Sequence, residues 1–154
     1  MKTPPRRRAR EFALQGIYQW QYTGEGASQV LKNLSELDEF GDADQEFLGE
    51  QLRGTIAEAE SLRTRIEPLA DRKWGDLSPI ERGILLLGAW ELVHKLDIPY
   101  RVTINEAIEL GKTFGGTDGH KYVNGVLDRL AASVRADEVA APRVAKPRKK
   151  KGKA

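Results

Sequence analysis

The chain has 154 residues, room for one ordinary domain with a core, and is 40% hydrophobic, 31% charged and free of cysteine. The missing cysteine excludes disulfides, thiolate metal sites and cysteine nucleophiles, and no stretch approaches the ~18 uninterrupted apolar residues of a membrane span. The net charge is only +2, and the basic N-terminus lacks the apolar segment of a signal peptide, so a cytoplasmic location is expected.

Pro4 and Pro5 permit a helix to begin at Arg6 and run to Tyr22, with Ala13, Ile17 and Trp20 lining one side. Thr23-Gly24-Glu25-Gly26 ends it. A second helix is predicted over Ala27 to Leu37, turning Val30, Leu31, Leu34 and Leu37 inward. Asp42 to Asp44 supply a cap for a third, in which Phe47, Leu48, Leu52, Ile56, Ala59, Leu62 and Ile66 keep helical spacing until Pro68.

Ser78-Pro79-Ile80-Glu81 is a strong helix start, with a serine cap, proline in the first turn and glutamate three residues after the cap. The helix that follows reaches about Lys95 and is apolar on nearly every side, which predicts a central element. Another helix is expected over Thr103 to Phe114, with Thr103 and Glu106 as a second capping box and a stop at Gly115-Gly116. The last runs from Asp118 to about Val134 and buries Val123, Val126, Leu127 and Leu130. Strand-type alternation is absent, so the fold class is all-α. The folded domain is expected over 1–136, and 137–154, rich in Ala, Pro, Lys and Arg, reads as a disordered basic tail.

The small net charge conceals strong segregation. Lys2, Arg6, Arg7, Arg8 and Arg10 are the only charged residues of the first ten, and residues 137–154 carry seven basic groups against Asp137 and Glu138. The residues between hold 13 basic and 21 acidic groups, a net of −8. Such a body repels bulk nucleic acid while its ends attract it locally, favouring a focused contact over a coat.

Arginines at a helix N-terminus oppose the macrodipole, so local folding does not favour them there. Arg7, Glu11, Leu14 and Tyr18 share one stripe of the first helix, with Arg7 and Tyr18 ~16 Å apart along the axis. Guanidinium groups followed by an aromatic ring suit a single strand, whose phosphates bind arginine and whose base stacks on tyrosine. On these grounds alone, Tyr18 reads rather as a tyrosine at the rim of the core. Asp118 is first of all a helix cap, although the amides of that helix start, with Lys121, also suit a phosphate or base edge. Glu81 is explained by its capping box. A metal site built from His94 and His120 would need carboxylate partners at helical spacing, and none stands out, so no metal or cofactor is expected. No catalytic constellation is present: Gly115-Gly116 lacks the Lys-Ser/Thr of a P-loop, and there is no Gly-x-Ser-x-Gly elbow. The chain is not expected to be an enzyme.

Three motifs carry a family resemblance: Arg6-Arg7-Arg8-Ala9-Arg10-Glu11 with Gln15, Tyr18 and Trp20; Pro99 to Leu110 continuing to Lys112 and Phe114-Gly115; and His120 to Asp128. Together they resemble the bacterial antitermination factor family NusB, closely over 1–22 and 76–131, and over 23–75 only in helical patterning. The resemblance implies about seven helices in two packed bundles. It implies binding of single-stranded boxA RNA in ribosomal RNA transcripts as a heterodimer with NusE, the ribosomal protein that doubles as a transcription factor. That complex joins RNA polymerase and other Nus factors and suppresses premature termination. By matching position, Lys2, Arg6, Arg7, Arg10, Tyr18, Lys121 and Tyr122 would face RNA, Asp118 would lie at the same surface, and Glu81 would contribute to the NusE interface. Tyr122 stands where phenylalanine is common, which preserves stacking, and the basic tail from Pro142 to Lys153 extends past the usual end of the fold.

A NusB-like module also serves some ribosomal RNA cytosine methyltransferases, but these need a cofactor-binding α/β domain that no strand-rich region here supplies. A nonspecific ribosome-associated RNA binder is disfavoured by the acidic body.

Overall fold

The computed structural model describes residues 2–116 and 119–142. Among them every regular element is helical: α1 (Pro5–Thr23), α2 (Ala27–Leu34), α3 (Gln45–Ala57), α4 (Ala59–Ile66), α5 (Pro79–His94), α6 (Tyr100–Phe114), α7 (Gly119–Val134) and α8 (Ala136–Ala140), with three short 3-10 turns. One bundle packs α1 against α2 and α3; the other packs α6 against α7. Helix α5 contacts both. Its ten consecutive residues from Gly83 to Leu92 are buried, as a helix apolar all round requires. The Ser78–Glu81 capping box forms as the sequence predicts, with Ser78 Oγ accepting from the Glu81 amide and Glu81 Oε1 from the Ser78 amide.

Four local expectations are corrected. Helix α2 stops at Leu34, and Leu37 lies 44% exposed in the turn beyond rather than inward. The run from Gln45 to Ile66 is two helices, broken at Glu58 (φ −109°, ψ 14°). A one-residue kink barely alters the phase of the apolar stripe, so the periodicity carries no trace of it. Helix α6 begins at Tyr100, and no Thr103–Glu106 capping box exists: Thr103 is buried with its hydroxyl on Glu91, and Glu106 binds Arg7. A distant residue serves that helix end instead, since the Tyr100 amide donates to Glu138 Oε2 at 2.8 Å. Glu138 lies beyond the expected domain boundary at residue 136, where the chain continues as α8.

Arg135 locks α8 in place. Its buried guanidinium donates to the Leu92 and Ile98 carbonyls at 3.1 and 2.7 Å and to Glu138 Oε1 at 2.7 Å. Helices α6 and α7 pack tightly at Gly111, where a β-carbon would stand 2.9 Å from the Cα of His120, a backbone atom that cannot yield. That contact seats the start of α7 against the last turn of α6.

Candidate nucleic-acid interface

The first turns of α1 expose less free positive charge than the sequence suggests. Arg6 donates to Asp44 Oδ2 from Nε and Nη2 at 3.4 and 3.3 Å and lies over the Phe47 ring at 4.5 Å. Arg7 forks onto Glu106, with Nε to Oε1 at 3.1 Å and Nη2 to Oε2 at 2.9 Å. Arg8 bridges Glu11 and Glu39, and Lys2 stands 3.8 Å from Asp42. These acidic partners come from other elements as well as α1, and they offset the unfavourable macrodipole interaction. Hydrogen bonding to Glu106 and its charge raise the Arg7 pKa above its ordinary value. Two of the guanidinium nitrogens are committed to Glu106, and the side chain remains partly open to solvent.

Arg10 is a correction. The sequence places it among the RNA-facing residues, yet it is 5% exposed and bidentate to Glu91, both bonds 2.8 Å long. Gln51 Nε2 and the Thr103 hydroxyl also donate to that carboxylate. Arg10 thus belongs to a buried network tying α1 to α3, α5 and α6, and it has no path to a strand on the surface. The stripe from Arg7 to Tyr18 is likewise interrupted, because Leu14 is buried in the core.

Tyr18 is exposed rather than tucked into the core rim. Its ring stacks on Tyr22, with centroids 5.7 Å apart and planes 15° from parallel. Both border a groove of about 490 Å³ between α1, α2, the start of α5 and the end of α6, closed by Leu37, Ile80 and Phe114. Neither Tyr22 nor Phe114 is among the residues that the sequence singles out for the site. For Tyr22 a signal existed, since it lies four residues after Tyr18 and so on the same helix face.

Asp118 lies outside the described residues. Lys121 is exposed. Tyr122 is half-buried, its hydroxyl without a hydrogen-bond partner, and the Arg72 guanidinium lies 4.2 Å from its ring centroid. Arg72 also reaches Glu81, with Nη1 3.6 Å from Oε2. A β-carbon on Gly119 would stand 3.3 Å from that same oxygen, so the starts of α5 and α7 are adjacent. Ile80, the neighbour of Glu81, lines the Tyr18 groove. The start of α5 therefore lies between the tyrosine groove and the Glu81–Arg72–Tyr122 cluster. Lys2 and Arg6 lie by Asp42 and Asp44, toward the N-terminal end of α1.

Among the described residues no group of three His, Cys, Asp or Glu could hold a metal ion; His94 is engaged with Glu58 at 2.7 Å. None of the described helices is long and apolar enough to cross a membrane.

Residues 7–132 match the model of the NusB family. The chain is 52% identical over 149 residues to the transcription antitermination protein NusB of Dechloromonas aromatica (strain RCB), covering 95% of this chain and 91% of that protein. It is 54% identical over 134 residues to the transcription antitermination protein NusB of Thiobacillus denitrificans, covering 87% and 92%. Among solved structures, a T. maritima NusB superposes with a TM-score of 0.76 at 32% identity, covering 92% of this chain and all of that one. A chain in a crystal structure of the antitermination factors NusB and NusE with dsRNA shares the fold, with a TM-score of 0.72 at 22% identity over 82% of this chain and 96% of that one.

Proposed function

The chain belongs to the NusB family, and from that membership we propose that it binds the single-stranded boxA element of ribosomal RNA transcripts together with NusE. In this reading the complex associates with RNA polymerase and other Nus factors and lets transcription pass terminators. The protein is an antitermination factor and not an enzyme. The observation that carries the reading is identity of 52–54%, over most of both chains, to proteins named for transcription antitermination.

The proposed RNA contacts are Lys2, Arg6, Arg7, Tyr18, Asp118, Lys121 and Tyr122, with Glu81 toward NusE. Arg10 is not among them, because its guanidinium is consumed by Glu91. What supports the rest is chemistry suited to a strand: partly open guanidinium groups on one end of α1, then stacked, solvent-facing tyrosines on the same helix. The seven basic residues from Arg143 to Lys153 would add salt-sensitive affinity that does not depend on sequence.

Titration with boxA RNA, a scrambled RNA, NusE, and boxA with NusE together tests this reading. Preference for boxA that strengthens when NusE is present is the expected result. Equal affinity for both RNAs, with and without NusE, would leave a nonspecific RNA binder.

A further inference from the structure

Arg72 belongs to none of the motifs that mark the family, yet it joins two of the proposed functional residues. Its guanidinium carbon lies 4.2 Å from the centre of the Tyr122 ring, and its Nη1 is 3.6 Å from Glu81 Oε2. Glu81 is itself held, because Oε1 accepts from the Ser78 amide at 3.1 Å and Ser78 Oγ accepts from the Glu81 amide at 3.0 Å. A capped, largely buried carboxylate thus lies beside the guanidinium, whose carbon sits over the ring. The Arg72 side chain is still 45% exposed, which leaves room for a second flat group against the guanidinium. A nucleobase cannot reach the covered face of Tyr122 without displacing Arg72.

We propose that Arg72 is itself the base platform: an unpaired base of the bound RNA stacks on the outward face of its guanidinium, extending Tyr122–Arg72 into a three-layer stack. The inference rests on the reading that this side of the molecule faces RNA. Guanidinium is planar, delocalised and weakly hydrated, so it stacks on flat π-systems on both faces at little desolvation cost. Unpaired RNA bases are commonly received on such planes. Beyond Arg72 the loop continues through Lys73 and Trp74, which with Arg63 border a concavity of about 480 Å³ where the flanking nucleotide has room. Because every base offers a π-face, the platform selects for an unstacked base rather than for its identity.

The test compares the full-length protein with Arg72→Ala, Arg72→Lys and Tyr122→Ala, each titrated with boxA RNA and with a series bearing one abasic nucleotide at each position. For the unaltered protein, one abasic position is expected to lower affinity about tenfold. Arg72→Ala should lower affinity for intact RNA about tenfold, and the same abasic position should then cost nothing further. Arg72→Lys keeps the charge beside Glu81, and with it the loop, but has no plane, so it should bind as weakly as Arg72→Ala. Full affinity in Arg72→Lys would reduce Arg72 to a point charge and overturn the stack, as would an abasic penalty unchanged in Arg72→Ala. Weakened binding by Tyr122→Ala with intact binding by Arg72→Ala overturns the platform alone. No effect from either variant overturns the RNA-facing reading of this surface as well.

Discussion

Arg10 and Glu91, 81 positions apart, meet in a bidentate ion pair whose two hydrogen bonds are both 2.8 Å, with each side chain nearly sealed from solvent. The pair fastens α1 of one bundle to the shared helix α5, and Gln51 and Thr103 bring α3 and α6 onto the same carboxylate. Removing one partner leaves the other charge buried and uncompensated.

Arg10→Ala should therefore lose about 3–5 kcal/mol of stability, read from the urea unfolding midpoint at constant m-value. Replacing the pair together, as Arg10→Met with Glu91→Leu, should recover only part of that, since it avoids the desolvation cost of the ions but leaves the Gln51 amide and the Thr103 hydroxyl without their acceptor. A small loss in Arg10→Ala would mean that the side chain is not buried in solution.

Arg7 sits one turn earlier and should behave in the opposite way. Its pair with Glu106 is partly exposed, so Arg7→Ala should change stability by no more than about 1 kcal/mol. Its effect should fall on RNA. If about four side chains neutralise phosphates of a single strand, the log–log salt slope is about −3, and Arg7→Ala should make it shallower by about 0.7. An unchanged slope would place the strand elsewhere.

Tyr18 and Tyr22 form an exposed stacked pair. Tyr18→Ala should weaken RNA binding by about 1–3 kcal/mol, while Tyr18→Phe, which keeps the ring, should bind nearly normally. Loss in both variants would assign the role to the hydroxyl instead of the ring.

Glu138 ties stability to acid. Burial alone would push its carboxyl up, but the Tyr100 amide and the Arg135 guanidinium outweigh that and hold it below the ordinary carboxylate range. A carboxyl depressed in the folded state contributes stability that is fully present above its unfolded pKa, about 4.3, and is lost as pH falls through the folded value. Glu138→Gln should accordingly be less stable than the unaltered protein at pH 7, and the difference should shrink below about pH 4. Parallel stability curves at every pH would show that Glu138 does not keep its charge-dependent cap on Tyr100.

Much of the helical layout follows from the sequence, because its signals are local. Apolar spacing marks α1, α5 and α7, the Ser78–Glu81 box marks the start of α5, and the uniformly apolar run from Ile84 predicts the central helix. These depend on residues three or four apart, and such pairs meet whatever the rest of the chain does. The three motifs likewise identify the family, since side-chain identity alone carries them.

Only tertiary structure decided which charges remain at the surface. Arg6, Arg7 and Arg10 look alike as a basic run, yet their fates depend on acidic partners 38, 99 and 81 positions away. The start of α6 turned on Glu138 for the same reason, and Arg72 gained its place over Tyr122 only when the loop at 70–75 folded back between α5 and α7. An ion pair or a stacked ring is a contact in space, and local periodicity holds no record of a partner brought from so far along the chain.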